Sequence, residues 1–212
     1  MRYLLAAGAL ALATAVSAQQ PAAPQREVDP RATAGPTYTS SGELIRPTDF
    51  REWMFVTSGL GMTYNTPTPR PGSGQANPVR TPSFTNVYVN PSSYRAFVQT
   101  GQWPDKTMFI LEVRASASEG SINRGGHFQS NLVVIEASVK DEARFPGAWA
   151  YFDFGRDMKT QAAALPSTER CYACHADHGA LDNTFVQFYP TLLDVATKMG
   201  TVKAATAAPA GH

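Results

Sequence analysis

Five consecutive residues, Cys171-Tyr172-Ala173-Cys174-His175, constrain this chain more than any other stretch. The chain holds two cysteines in all, and both lie here. C-x-x-C-H is the attachment signature of a c-type haem. Two intervening residues let both thiols reach the two vinyl groups on one side of a flat macrocycle, and the next imidazole then lies under the iron. The same thiol spacing occurs in dithiol redox sites and in half of a zinc site. A zinc site needs further Cys or His at ligand spacing, and there is no third Cys. A thioredoxin-like site belongs at a helix start in a βαβ context. No Gly-rich or parallel-sheet pattern surrounds this motif. It reads as one covalently attached haem c, with Cys171 and Cys174 as attachment points and His175 as the metal ligand.

The N-terminus agrees with that reading. Met1-Arg2-Tyr3 is followed by an apolar run from Leu4 to Val16, and Val16-Ser17-Ala18 resembles a small-residue cleavage site. Residues 1–18 therefore read as a secretory signal peptide cleaved after Ala18. The apolar run is shorter than the roughly 20 residues of a spanning helix, so no membrane span is expected. The destination expected is the periplasm, where haem attachment of this kind takes place after export. Formal charge then balances. The full chain has 18 Lys plus Arg against 17 Asp plus Glu, and the signal removes one Arg. A neutral chain carries no polyanion footprint, which argues against nucleic acid as a partner.

Residues 19–44 are rich in Gln, Ala, Pro, Ser and Thr and read as a flexible leader. The domain is expected over residues 45–200, with a disordered Ala-rich tail over 201–212. Thr48 or Asp49 is a candidate N-cap, and Glu52–Tyr64 is compatible with either helix or strand. Thr66–Pro82, with five prolines and two glycines, reads as a long loop. Phe84–Val89, Thr107–Ala115, Gln129–Val139 and Trp149–Phe154 alternate as strands do. In the second of these, Phe109, Leu111 and Val113 are expected to point inward. Asn90 and Pro91 open a short helix that Gly101 closes. Arg156–Leu165 and Asn183–Met199 read as helices. Short Gly-containing links between successive strands favour antiparallel pairing. The fold class expected is α+β: an antiparallel sheet with a few helices and the haem motif near the C-terminus.

That architecture differs from the helical body of most small c-type cytochromes, and here a resemblance becomes specific. The segments Asp49–Trp53, Phe84–Val89, Ser93-Tyr94, Thr100-Gly101, Glu136–Asp141, Cys171–His175 and Phe185–Pro190, in that order, resemble the cytochrome P-460 family and its structural relative cytochrome c′-beta. The resemblance covers about residues 45–199. It implies an antiparallel-sheet domain, often a homodimer, with a five-coordinate haem open on one face. It also implies binding of nitric oxide, or oxidation of hydroxylamine and nitric oxide with electrons passed to a redox-partner cytochrome. In cytochrome P-460 proper a lysine is bonded to the macrocycle. The corresponding helix here, Arg95–Gly101, contains no lysine; Lys106 is the nearest. This departure places the chain nearer the ligand-binding relative than the hydroxylamine oxidase.

Candidates for the surroundings of the iron are few. His127 follows Gly125-Gly126, His178 lies three residues after His175, and His212 ends the chain. Met54, Met62, Met108, Met158 and Met199 are sulfur donors that more commonly fill core gaps. Glu112 and Glu136 lie within apolar strands. An acid there must be paired, protonated or facing water, so each is either an outward or ion-paired residue or a proton acceptor near the iron. Phe55, Phe97, Trp103 and Phe128 are either haem caps or core. The function expected is binding, with oxidation as a further step, of small nitrogen ligands at a five-coordinate iron. The rivals are a six-coordinate electron carrier and, more remotely, a dithiol oxidoreductase.

Overall fold

A computed structural model describes residues 35–62 and 81–203. The expected signal peptide, most of the leader, most of the Pro-rich loop and the last nine residues lie outside the described residues. Among the described residues no helix is long and apolar enough to cross a membrane.

The centre is a five-stranded antiparallel sheet in sequential order: β2 (Met54–Leu60), β3 (Ser83–Val89), β4 (Met108–Ala117), β5 (Phe128–Lys140) and β6 (Trp149–Asp153). A two-stranded antiparallel ladder joins β1 (Leu44–Ile45) to β7 (Gln161–Ala162). Among the described residues there are three α-helices: α1 (Pro91–Thr100), α2 (Arg170–His178) and α3 (Pro190–Met199). This is the α+β class expected.

Both sheet faces are packed, which corrects the one-sided reading of β4. Phe109 is buried as expected, but so are Met108 and Ile110 on the other face. The first face carries Ile110, Ile135, Ala137, Val139 and Phe152 against Leu44, Phe50 and Trp53. The second carries Val89, Phe109 and Trp149 against Phe97 of α1, Tyr189, and Leu192 and Ala196 of α3. Alternation marks a strand but not which face is covered, and here the N-terminal segment covers the face that the sequence reading left to solvent.

Residues 35–44 therefore belong to the domain rather than to a leader. Leu44 is fully buried. The Tyr38 hydroxyl donates to Asp141 at 3.2 Å, its ring meets Phe145 edge-on, and the Arg144 guanidinium lies 4.0 Å from its centroid. At the other end, residues 201–203 also pack: Thr201 donates to the Gly101 carbonyl at 2.7 Å, and the Lys203 amide donates to Ala180 at 2.8 Å.

The helices follow local chemistry where breakers are present. Pro91 opens α1, and Gly101 closes it in the left-handed region at φ 68°. Asn90 does not cap with its side chain. Its Oδ1 instead accepts from the Met108 amide at 2.9 Å, tying the helix start to β4. The single helix expected over Asn183–Met199 is divided. A 3-10 turn spans Val186–Phe188, and α3 begins only at Pro190. Tyr189, before the proline, is held out of the helical region at ψ 82°. The helix expected over Arg156–Leu165 is absent. Gly155 and Met158 take positive φ, and Gln161–Ala162 pairs with β1 instead. Strand pairing overrides the helix-forming composition there.

If the N-terminal segment is structural, Leu44→Ala should lower stability in urea unfolding by about 3 kcal/mol. A change below about 0.5 kcal/mol would show that the segment adds nothing to the domain.

Candidate haem site

α2 displays the motif. Its two thiols lie one helical turn apart, Cys171 exposed and Cys174 half-buried, and they are not joined in a disulfide. The helix buries none of its own residues fully and is anchored through Tyr172. That ring meets Tyr151 of β6 edge-on at 6.2 Å. Its hydroxyl lies against Gly147 in the β5–β6 turn and leaves no room there for a Cβ. Gly147 also has φ 79°, so the turn needs glycine for its backbone and for the room it leaves Tyr172.

His175 sits in the last turn of α2. Its Nδ1 is 2.9 Å from the Asn183 carbonyl oxygen. A carbonyl only accepts, so Nδ1 carries the proton and Nε2 is left with its lone pair. The ring is held between Tyr151, at 4.5 Å, and Phe185, at 4.3 Å. Burial pushes its pKa down, and the bond to Asn183 opposes that only in part. The imidazole is therefore neutral, correctly tautomeric and oriented: the form in which histidine binds a metal.

Beside it runs one cross-strand row. Val87 lies opposite Leu111, Leu111 opposite Glu136, and Glu136 opposite Asp153. The next row, Val89, Phe109, Ser138 and Tyr151, leads directly beneath His175. Val87, Leu111 and Glu136 are half-buried, in contrast to the sealed core on the reverse face. Two free thiols at i and i+3, an imidazole offering Nε2 and an adjoining apolar strand face suit a flat, iron-bearing macrocycle. They do not suit a dithiol redox centre. Although Cys171 is exposed as a residue, partial desolvation of its sulfur, and then the Glu136 charge, push the thiol up, whereas redox-active cysteines are made acidic.

The two candidate acids lie on opposite faces. Glu136 shares the His175 face. Burial first, and the neighbouring Asp153 charge second, push its carboxyl up. Glu112 pairs with Ile135 on the reverse face and is sealed from solvent. Burial pushes its carboxyl up, but hydrogen bonds from Arg114, Arg51 and Asn86 outweigh that and hold it below the usual carboxylate range. Arg51 approaches to 2.5 Å and Arg114 to 3.1 Å. Asn86 donates at 3.2 Å. Glu112 is thus the ion-paired alternative, not a group on the His175 side.

The other candidates disperse. Phe97 and Trp103 stack in the core at 3.9 Å, and Phe55 meets Tyr88 on the reverse face. Phe128 is exposed. Met108 and Met158 pack with the first core, and Met199 packs against Gly101. Met62 lies against Gly59. Met54 shares the His175 face but stands on β2, at the sheet edge opposite β6. His178 is exposed on α2. His127 lines an open depression of about 530 Å³ with Ser118, Glu119 and Arg124 at the β4–β5 hairpin. His212 lies outside the described residues. The Lys106 ammonium is taken up by Asp141 and Asp105. Sequence reasoning missed Tyr151, Phe185 and the Asn183 carbonyl. The first two were visible only as aromatics in strand and family segments, and a backbone acceptor leaves no residue-type signal.

An antiparallel-sheet domain presenting this donor set is the frame of a haem protein. A family model described as cytochrome P460 matches residues 47–186, about two thirds of the chain. The chain belongs to the cytochrome P460 family, which agrees with the resemblance read from its segments. No curated protein matches the chain.

The two acids should respond oppositely to neutralisation. Glu112 has a lowered folded pKa, so its contribution is present above the ordinary carboxylate range and is lost as pH falls through the folded value. Glu112→Gln should cost about 2 kcal/mol at pH 7 and little in acid. Glu136 has a raised folded pKa, so wild-type stability falls as pH rises from the ordinary range through that value. Glu136→Gln should therefore be the more stable protein at neutral pH and equal to wild type in acid. Urea titrations across pH check both; like signs for the two variants at pH 7 would contradict the assignment.

Proposed function

We propose that this chain is an exported c-type haem protein that binds nitric oxide at a five-coordinate iron. The observation that carries the proposal is the arrangement of α2. Two free thiols stand one turn apart, and His175 has its Nδ1 proton committed to Asn183. Cys171 and Cys174 would form the thioethers to a single haem c, and His175 Nε2 would be the proximal ligand. When bound, the haem supplies an iron that exchanges electrons and takes a small ligand. The polypeptide supplies the rest. Tyr151 and Phe185 keep the His175 ring from turning. Val87 and Leu111 offer an apolar surface that limits water. Glu136, the one of the two candidate acids on this face, is raised by burial and suited to accept a proton from a nitrogen ligand. Oxidation of nitric oxide or hydroxylamine is the further step, with a redox-partner cytochrome as electron acceptor. Export to the periplasm, with cleavage after Ala18, completes the proposal.

Denaturing electrophoresis with haem staining tests attachment. Wild type should keep its haem, and Cys171→Ser or Cys174→Ser should lose most of it. His175→Ala should retain attachment but change the spectrum. Nitric oxide should shift the Soret band of wild type. A low-spin spectrum in both oxidation states, indifferent to nitric oxide, would establish the electron-carrier alternative instead.

Lysine crosslinking separates ligand binding from the oxidase branch. α1 contains no lysine, and the Lys106 ammonium is engaged by Asp141 and Asp105. Peptide mass analysis should find the haem on one tryptic peptide, that containing Cys171 to His175. A second peptide bonded to the same haem would move hydroxylamine oxidation to first place.

A further inference from the structure

The acceptor that orients His175 is a main-chain carbonyl, so its position is set by whatever holds residues 181–184. Asp182 and Asn183 are consecutive non-glycine residues at φ 45° and 57°. Asp and Asn are the side chains that tolerate that region best, and the turn closes on itself through the Thr184 amide, which donates to the Leu181 carbonyl at 2.8 Å. Contacts on two sides fix where that turn sits.

On one side stand Lys140 and Trp149, a directly opposed pair on β5 and β6. The Lys140 ammonium donates to Asp182 Oδ2 at 2.7 Å, and the Trp149 indole donates to Asp182 Oδ1 at 3.1 Å. Lys140 is itself only 13% exposed, pairs with Glu142 as well, and makes a further bond to the Trp103 carbonyl at 2.9 Å. On the other side, the Thr184 hydroxyl donates to the Leu181 carbonyl at 2.6 Å and accepts from the Trp103 indole at 3.0 Å. Between these clamps the Asn183 carbonyl accepts from His175 Nδ1 at 2.9 Å and from the Tyr151 hydroxyl at 3.4 Å.

We infer that Lys140, Trp149 and Asp182 are positioning residues for the proximal imidazole: they hold the Asn183 carbonyl on His175 Nδ1 and thereby set how strongly His175 donates to iron. The inference rests on the reading of His175 as the iron ligand. Each carboxylate oxygen of Asp182 meets a donor from a different strand, so the loop is fixed in rotation as well as in position. A hydrogen bond at Nδ1 makes the imidazole a stronger donor through Nε2. A stronger donor favours the ferric state. Loss of the bracket frees the turn to shift as a body, lengthens the bond at Nδ1 and weakens donation. The three residues need not touch the ligand or the haem to have this effect.

The test uses the full-length protein with its haem attached. Resonance Raman spectra of the ferrous form report the iron–histidine stretch, and a redox titration reports the midpoint potential. Asp182→Ala should move the stretch to lower frequency and the potential upward. Asp182→Asn keeps an acceptor oxygen for one of the two bracket donors and should lie between wild type and the alanine variant on both readouts. Should Asp182→Ala fail to accumulate with haem, Lys140→Met carries the test and should shift both readouts in the same direction by less. Wild-type frequency and potential in the folded alanine or methionine variant, with normal haem content, would overturn the inference alone. A wild-type ferrous protein that is five-coordinate and high-spin yet shows no iron–histidine band would overturn the role of His175 and the inference with it; were the ferrous iron six-coordinate, the midpoint potential alone would decide, and an unchanged potential in the alanine variant would overturn the inference.

Discussion

The hydrogen bond between His175 Nδ1 and the Asn183 carbonyl is the interaction on which the site depends. It joins the end of the motif helix to the loop that precedes α3, two segments separated by a tight reversal. It settles the tautomer, since only Nδ1–H can meet a carbonyl, and so leaves Nε2 as the donor. A histidine free to rotate on a helix with no fully buried residue would lose entropy on binding a metal. Here Tyr151, Phe185 and Asn183 have already removed that freedom. The motif contributes chemistry, while the sheet and the loop contribute direction.

The sheet does this by being different on its two faces. One face is a closed core that absorbs Leu44, Phe50 and Phe152, with Glu112 neutralised by two arginines farther along the same face. The other is closed by α1 and α3 near Val89, Phe109 and Trp149, then continues as a half-buried row past α2. A buried acid surrounded by arginines is an acid with no proton to exchange near neutral pH. A buried acid beside another acid is one that keeps its proton longer. Two glutamates in adjacent strands thus acquire opposite properties from one geometric fact: Leu111, not Glu112, lies opposite Glu136.

Much of this was legible in the residues. The motif points to a haem because thiol spacing and macrocycle size are matched, and the family match agrees with a haem protein. Alternation located β3 to β6 because strands have a period of two, and Pro91 and Gly101 bracketed α1 because each acts through its own backbone. What was not legible depended on partners distant in the chain. Arg156–Leu165 has helix-forming composition but is drawn into pairing by β1. Tyr38 and Leu44, sparse in a polar stretch, reveal their importance only once Asp141 and the β4–β6 core are placed beside them. Glu112 and Glu136 were indistinguishable as acids in apolar strands until register assigned their faces. The Asn183 carbonyl could not be read at all, since every residue has one.

In the proposed site His175 would meet iron through Nε2 while Nδ1 stays on Asn183. A crystal structure of the purified protein, with anomalous data collected at the iron absorption edge, tests this. An iron peak is expected at bonding distance from His175 Nε2, with thioether density at Cys171 and Cys174 and Nδ1 still hydrogen-bonded to the Asn183 carbonyl. Iron bound through Nδ1, or seated away from His175, would contradict it.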